Sequence, residues 1–308
     1  VSGNSKASVT LTASDLQGLQ NGYKYAITAD WSDGTKTAPR FQSNTFTADR
    51  TVAIGTINLG WGNYLTNSDA NNSNTRNITV NLTAEGPNMQ NVKVEIFEKA
   101  SGSNTTTGSA VYTSSVMQTP GSSAAFTLST TEIGNSTLAH GKTYLVKAST
   151  TDSAGNSANK LSAPFEVDRE ASIGTLTYDW GSESTPVMNQ AERDTTGGRV
   201  VTVPVTDVEV GKQVTLTLSG GPDNHTSTHT ANVVDNGDGA KALVTISKTT
   251  LQGLTDGTYS ISATVQDDAG NTATKNGPNF QLKATKPALN NMIYWSQYLN
   301  ALEASRDQ

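Results

Sequence analysis

The sequence predicts an all-β protein of tandem immunoglobulin-like β-sandwiches that form an elongated rod, and three observations lead to this prediction. Its 308 residues include 46 threonines and 31 serines but only 6% aromatic residues, which suits strands and turns better than long helices. Short runs of alternating apolar and polar residues are separated by Gly, Asn, Asp and Ser turns, a pattern typical of antiparallel sandwiches. The chain also repeats itself every 115 to 119 residues, about the size of one sandwich.

The repeat is clearest in a strand that opens with Gly-x-Tyr or Gly-x-x-Tyr and runs into an acidic turn. Two of these turns, 152–156 and 267–271, read Asp-x-Ala-Gly-Asn. Trp61 and Trp180 also recur at one position of the repeat, which is typical of core or junction residues. The equivalent aspartates of the three turns are Asp33, Asp152 and Asp267.

The phase of the repeat predicts where the domains begin and end. Residues 1–49 hold only the later strands of a first domain, 50–168 and 169–283 are complete domains, and 284–308 starts a fourth. The beginning of the chain lacks the basic and apolar regions of a signal peptide, so we expect an internal segment of a longer protein.

Alternation within residues 50–168 predicts seven strands, labelled A to G as in an immunoglobulin-like domain. They are expected near 52–60 (A), 76–83 (B), 91–98 (C), 110–117 (D), 124–129 (E), 143–150 (F) and 159–167 (G).

The last segment, 284–308, gives two conflicting signals. Its apolar residues lie close to helical spacing, which favours a helix. Trp295, however, aligns with Trp61, so the repeat predicts the strand A of a further domain and the loop after it.

Composition excludes several classes of function. The net charge of −6 argues against nucleic acid as a partner, because binding to phosphates requires a basic face. No apolar run approaches the roughly 18 residues of a membrane span, so membrane insertion is not expected. The sequence has no cysteine, nucleophile elbow or phosphate-binding loop, so we expect no enzyme activity.

At these residues the sequence resembles the bacterial immunoglobulin-like domains of giant repetitive adhesins that are exported by type I secretion. The Gly-x-Tyr strand, the two Asp-x-Ala-Gly-Asn turns and the Phe-Glu-Val-Asp linker at 165–168 carry the resemblance. It implies a cell-surface or extracellular rod of stacked domains, calcium at the domain junctions, and adhesion to a host or another surface.

The topology of the fold also predicts where carboxylates collect. In an immunoglobulin-like domain the BC and FG loops lie at the end where the chain enters, and the AB and EF loops lie where it leaves. Flexible loops of Asp, Asn and Gly suit the 6–8 oxygen ligands of Ca²⁺. For the linker at Asp168 this predicts a calcium site with five further carboxylates, those of Asp69, Asp207, Glu209, Asp267 and Asp268.

The same argument applied to the first linker predicts a poorer calcium site, with fewer carboxylate ligands. It gathers Asp49, Glu85 and Asp152, with Asp15 as a fourth candidate. At the third linker Lys283 stands where the other two linkers have aspartate, and an ammonium group does not ligate calcium.

Three other patterns have a structural and a functional interpretation. The run that begins at Asp235 starts like an EF-hand loop but lacks the distal Glu, so it predicts a hairpin turn. His225 and His229 would share one side of a helix, but the residues around them disfavour a helix, so a zinc site is not predicted. Trp31 lies outside the repeat pattern and is expected to pack locally rather than stack on a sugar.

Two functions therefore stay open. The first is a non-catalytic stalk segment, a monomeric rod stiffened by calcium, that supports cell adhesion. The alternative is a binding module whose domains contact a host-cell glycan or receptor directly.

Overall fold

In a computed structural model of the chain, the described residues are 8–32, 34–37, 39–82, 90–134, 136–181 and 186–286. The chain divides into two compact units, Val1–Arg169 and Glu170–Gln308. Nearly all of the regular structure is β-strand, which confirms the predicted all-β class. The expected strand A within 284–308 lies almost entirely outside the described residues.

Residues 8–49 of the first unit form one short helix and two small antiparallel strand pairs. The elements are α1 (Ala13–Gln17), β1 (Lys24–Tyr25), β2 (Thr28–Ala29), β3 (Phe41–Gln42) and β4 (Phe46–Thr47). β1 pairs with β4, and β2 pairs with β3. Several large apolar side chains of this segment are exposed, among them Ile27, Trp31 and Phe41.

The rest of the first unit is a two-sheet sandwich. Its elements are β5 (Ile54–Leu59), β6 (Tyr64–Leu65), α2 (Asn67–Asn71), β7 (Asn77–Leu82), β8 (Gln90–Lys99), β9 (Thr106–Thr113), β10 (Met117–Thr119), β11 (Ser123–Thr127), β12 (Lys142–Asp152), β13 (Ser157–Leu161) and β14 (Phe165–Val167). One sheet has the order β11-β7-β5, and the other has the order β10-β8-β12-β14-β6, with β9 on β8 and β13 on β12. These strands confirm the positions predicted for A, B, C, E and F.

The predictions for strands D and G are wrong in detail. The run predicted as D is broken between β9 and β10, and both pieces pair with β8 rather than with β11. The run predicted as G is broken between β13 and β14. At each break a serine side chain replaces a backbone partner: Ser114 Oγ accepts from Val94 N at 3.0 Å, and Ser162 Oγ accepts from Val146 N at 2.9 Å.

The core of this sandwich follows from strict alternation along its strands. Ile78, Val80 and Leu82 on β7 are buried, and they belong to one cluster with Val92 and Val94 of β8. Burial of each such side chain contributes about 1.5–3 kcal/mol. The recurring tryptophan is a core residue, as predicted: Trp61 packs edge-on against Phe165, with ring centroids 5.2 Å apart.

The second unit holds a second sandwich of the same kind. Its elements are β15 (Ser172–Ile173), β16 (Thr177–Tyr178), β17 (Val187–Asn189), α3 (Gln190–Arg193), β18 (Arg199–Thr206), β19 (Gln213–Gly220), β20 (His225–Asn232), β21 (Lys241–Ile246), α4 (Lys248–Gln252), β22 (Gly257–Gln266), β23 (Thr272–Asn276) and β24 (Phe280–Lys283). In one sheet β18 lies between β15 and β16 and also pairs with β21, while the other has the order β17-β24-β22-β19-β20, with β23 on β22. Trp180 packs edge-on against Phe280, as Trp61 does against Phe165.

The repeated tyrosine fixes the start of the strand that carries each acidic turn. Its hydroxyl group bonds to the backbone a few residues upstream, which ties the preceding loop to the strand as in a tyrosine corner. The three bonds are Gln20 N to Tyr25 Oη (2.7 Å), Ala139 N to Tyr144 Oη (2.9 Å) and Tyr259 Oη to the carbonyl of Thr255 (2.8 Å).

The turn that begins at Asp235 joins β20 to β21, which lie in different sheets, so it connects the two sheets and is not the hairpin between paired strands that the sequence predicts. Asp235 Oδ1 accepts a hydrogen bond from Gly237 N at 2.8 Å, and the bridge between Val234 and Lys241 closes the turn. None of the described helices is long and apolar enough to cross a membrane.

Candidate calcium-binding turns and linkers

The FG turn of the first sandwich is closed by its own aspartate. Asp152 Oδ1 accepts a hydrogen bond from Asn156 N at 2.8 Å, and Asp152 N donates to the carbonyl of Asn156 at 3.0 Å. Gly155 has a φ of +93°, a conformation that glycine adopts without a steric penalty. The Asp-x-Ala-Gly-Asn sequence therefore specifies this turn locally, before any ligand is considered.

The side-chain amide of Asn156 also connects this turn to the first linker. Asn156 Nδ2 donates to Asp152 Oδ2 at 2.8 Å and to Asp49 Oδ1 at 3.2 Å. Asp152 is buried, and Asp49 follows β4 by two residues. The structure thus brings together two of the carboxylates that the sequence predicts at this linker, with a neutral amide between them.

The chemistry of this group fits a calcium ion. Both carboxylates offer oxygen atoms, and the Asn156 amide presents oxygen in place of nitrogen after a half-turn about its last torsion. The remaining ligands would have to be carbonyl groups or water, because within the described ranges no three His, Asp or Glu side chains form a group that could hold a metal ion. Glu85, the other predicted ligand, lies outside the described residues.

Asp15, the fourth candidate at this linker, caps a helix. Its Oδ2 atom accepts hydrogen bonds from Thr12 N at 2.8 Å and from Thr12 Oγ1 at 2.6 Å, and Asp15 N donates to Thr12 Oγ1. The hydrogen bond from the Thr12 hydroxyl, followed by that from its backbone, lowers the pKa of Asp15. This capping box stabilises α1.

Asp69, predicted as a ligand at the second linker, has the same capping role. Its Oδ2 atom accepts from Thr66 N at 3.1 Å and from Thr66 Oγ1 at 2.8 Å, at the start of α2. The Thr-x-x-Asp spacing predicts this role, because it is a capping-box pattern. The prediction from domain topology did not take this pattern into account. Its assignment as a calcium ligand stays a prediction.

The linker residue Asp168 is buried beside His140. His140 Nδ1 lies 3.9 Å from Asp168 Oδ1 and accepts a hydrogen bond from Arg169 N at 3.2 Å. Asp168 N donates to the carbonyl of Leu65 at 3.1 Å, which holds the linker against the parallel pair of β14 and β6.

Sequence reasoning missed Arg169, the residue after the linker aspartate. It is buried, and its guanidinium donates to the carbonyl groups of Ile133 and Leu138. Arg50, at the equivalent position of the first linker, donates to the carbonyls of Leu16, Gln17 and Leu19 from an exposed position. In both cases the arginine binds backbone carbonyls of the segment that precedes the Gly-x-x-Tyr strand.

The FG turn of the second sandwich reproduces the first. Asp267 is buried; its Oδ1 accepts from Asn271 N and its Oδ2 from Asn271 Nδ2, both at 2.8 Å. Gly270 has a φ of +93°, as Gly155 does.

Two more predicted ligands hold the BC loop to this turn without a metal. Glu209 Oε2 accepts from Asp268 N at 2.9 Å, and Lys212 forms a close ion pair with the Asp268 carboxylate. The hydrogen bond to Asp268 raises the pKa of Lys212. Asp207, in the same loop, has a φ of 54°, in the left-handed region. The predicted set at Asp168 is thus divided between the two units, and it stays a prediction.

The third linker, at Lys283, is held by a carboxylate that receives backbone N–H groups. Asp256 Oδ1 accepts from Ala284 N at 2.7 Å, and Asp256 Oδ2 accepts from Thr285 N at 3.0 Å.

The sequence matches no known protein family and no curated protein. Solved structures give low-similarity matches. A structure concerned with host cell surface retention of a 1.5-MDa bacterial ice-binding adhesin has a TM-score of 0.38 at 19% identity, covering 90% of this chain and 79% of that one. A Ca²⁺-stabilised adhesin with which an Antarctic bacterium binds ice has a TM-score of 0.37 at 20% identity, and the chain spans 58% of its length. A tetra-tandem repeat from the extending region of a large adhesion protein has a TM-score of 0.34 at 19% identity, also over 58% of that chain.

Proposed function

We propose that this chain is a non-catalytic stalk segment of a secreted or surface adhesin, and that Ca²⁺ at its linkers stiffens it. The domains would be residues 1–49, 50–168, 169–283 and 284–308, arranged as a monomeric rod outside the cell. Among giant adhesins, the sequence motifs resemble most those of the non-fimbrial adhesin of Salmonella.

One observation carries the calcium proposal, namely that a linker carboxylate and an FG-turn carboxylate converge on one amide. Asp49 and Asp152 both accept from Asn156 Nδ2, although they are about a hundred residues apart in the chain. Two carboxylates held this close repel each other unless hydrogen bonds or a cation compensate their charge. A calcium ion supplies two positive charges at this point, whereas the amide supplies only a dipole.

The calcium ion would be held by Asp49, Asp152 and the side-chain oxygen of Asn156, with Glu85 as the ligand that the sequence adds. When bound, it would fix the linker to the FG turn more strongly than a single hydrogen bond does. For the second linker, at Asp168, the same proposal rests on the sequence repeat alone.

A stalk gains from this arrangement because reach depends on stiff linkers. A flexible linker lets successive domains collapse on one another, whereas an ion bound to residues on both sides restricts the backbone angles between them.

The test is the melting temperature and the small-angle scattering of the full chain in Ca²⁺ and in a chelator. Binding to the folded state raises stability by mass action, so the melting temperature of the first unit should rise with the logarithm of calcium concentration. The radius of gyration should increase at the same time, and Asp49→Asn should abolish most of the response at the first linker.

Asp15→Asn is the matched control, because Asp15 lies in the same unit but caps α1. It should lower the baseline stability and leave the calcium response intact. If Ca²⁺ changes neither melting nor scattering, the calcium proposal fails. If Asp15→Asn and Asp49→Asn reduce the response equally, calcium acts by general screening of acidic charge.

A further inference from the structure

A cluster of polar side chains lies on the core-facing side of the second sandwich. Along β20 residues alternate between half-buried and exposed, and His225, Ser227 and His229 are on the half-buried side. The partners of Ser227 and His229 across the ladder are Leu218 and Leu216, both fully buried. Directly paired residues share one face of a sheet, so both imidazoles stand beside the apolar core.

The position of β20 leaves this cluster accessible. Within the described part of the chain, β20 is the last strand of its sheet and pairs only with β19, and the three side chains of the cluster are half-buried rather than enclosed. An ion can therefore reach the side chains from the edge without disrupting the core.

The sandwich architecture does not require histidine here. In the first sandwich, Tyr112 of β9 is paired with Ile96 of β8. In the second sandwich, Ser227 of β20 is paired in the same way with Leu218 of β19. Tyr112 packs against the apolar core of its sandwich. At the position of Ser227 one repeat therefore has an aromatic side chain and the other has a hydroxyl group flanked by two imidazoles.

The two imidazoles converge on one oxygen atom. His225 Nε2 lies 3.0 Å from Ser227 Oγ, and His229 Nε2 lies 3.2 Å from the same atom. A hydroxyl group has one proton to donate, so at most one of the two nitrogens accepts it and the other donates to the oxygen.

We propose that His225 and His229 bind a divalent transition-metal ion such as Zn²⁺, with Ser227 Oγ and water as the remaining ligands. The site lies outside the calcium turns and is independent of the proposed function. Imidazole nitrogen suits zinc, copper and nickel, whereas Ca²⁺ prefers oxygen, so the two kinds of site select different ions.

The geometry requires only a small rearrangement. The two Nε2 atoms lie at most about 6 Å apart, because both contact the same oxygen. Two nitrogens on one tetrahedral Zn²⁺, each about 2.0–2.1 Å from the ion, lie about 3.3 Å apart. Rotation of the two side chains that moves each nitrogen by at most about 1.5 Å closes this difference.

The test is a titration of the full, chelator-treated chain with ZnCl₂, followed by NMR of the histidine ring carbons and their protons. The sequence has only three histidines, so His140 is an internal reference within the same sample. The signals of His225 and His229 should shift or broaden together with a stoichiometry of one ion per chain, while that of His140 stays unchanged. CaCl₂ should leave the two signals where they are.

Calorimetry of variants provides the second readout. His225→Gln and His229→Gln should each weaken Zn²⁺ binding at least tenfold, and His140→Gln should leave it unchanged if its fold is intact. Zinc that shifts all three histidine signals alike, or binding that persists in the double variant His225→Gln/His229→Gln, would overturn the proposal. The wild-type NMR titration decides the matter even if a variant fails to fold.

Discussion

Asn156 donates a side-chain hydrogen bond to Asp49 at 3.2 Å, which joins the FG turn of one sandwich to the linker that precedes it. The same nitrogen donates to Asp152 at 2.8 Å. The linker is therefore tied to the turn without a metal, at the place where we propose that calcium binds. The stabilisation that calcium adds is therefore the difference between a linker held by the ion and a linker already held by this hydrogen bond.

Replacement of this amide by a carboxylate should make the first unit dependent on calcium. In a chelator, Asn156→Asp should destabilise the unit by about 1–3 kcal/mol, because a hydrogen-bond donor is lost and a third negative charge is added. In Ca²⁺ most of this loss should be recovered, since the third carboxylate is an added ligand. Urea denaturation in both conditions measures the difference.

Asn156→Ala is the matched variant. It should show a similar loss in a chelator and less recovery in Ca²⁺, because alanine offers no ligand. Equal recovery in both variants would show that calcium does not bind next to residue 156.

Local turn chemistry is the part of the candidate site that the sequence predicts best. The Asp-x-Ala-Gly-Asn motif contains the aspartate that accepts, the glycine with positive φ and the asparagine that donates, so both FG turns follow from five consecutive residues. The link from Asn156 to Asp49 depends on how a distant part of the chain returns to the turn. The repeat predicted that proximity, but it could not predict which side chain would stand between the carboxylates.

The buried guanidinium of Arg169 should matter more for stability than that of Arg50. Arg169→Lys keeps the charge but loses the planar set of donors to Ile133 and Leu138, so we expect a loss of about 2–3 kcal/mol in the first unit. Arg50→Lys should cost less than about 1 kcal/mol, because water replaces hydrogen bonds at an exposed site. Urea denaturation of the two variants compares them directly. Equal losses would mean that burial of Arg169 adds nothing.

The tyrosine hydroxyls should contribute to stability in each sandwich separately. Tyr144→Phe leaves the N–H of Ala139 without its partner, and Tyr259→Phe leaves the carbonyl of Thr255 without its donor. We expect a loss of about 1–2 kcal/mol in each case. Tyr23→Phe, at an exposed variable position of the first Gly-x-x-Tyr motif, is the control and should change stability by less than about 0.5 kcal/mol. The unfolding transition that shifts should be that of the mutated unit only.

The acidic loop residues show which contacts the domain topology alone does not predict. Asp15 and Asp69 were predicted near the linkers because their loops lie at the correct end of the sandwich. Their position three residues after Thr12 and Thr66 makes both carboxylates helix caps, a role that the topology does not predict. Asp268 likewise pairs with Lys212, a residue of another loop, and no local pattern predicts that pair. The number of acidic residues in the sequence identifies the loops near the linkers. The hydrogen-bond partners of each carboxylate determine its structural role.

The Asp256 carboxylate should make the second unit sensitive to acid. Hydrogen bonds from the backbone of Ala284 first, and then from Thr285, lower the pKa of Asp256 from its ordinary value of 3.8. Because the folded-state pKa is the lower one, this stabilisation is complete above about pH 4 and is lost as the pH falls through the folded-state value. Asp256→Ala should therefore lower the melting temperature at pH 7 and flatten its decline between about pH 4 and pH 2.

Asp238→Ala, at an exposed turn position, is the control and should preserve the wild-type slope of melting temperature against pH. A wild-type slope in Asp256→Ala would mean that other carboxylates carry the acid response and that the bonds to Ala284 and Thr285 add no stability.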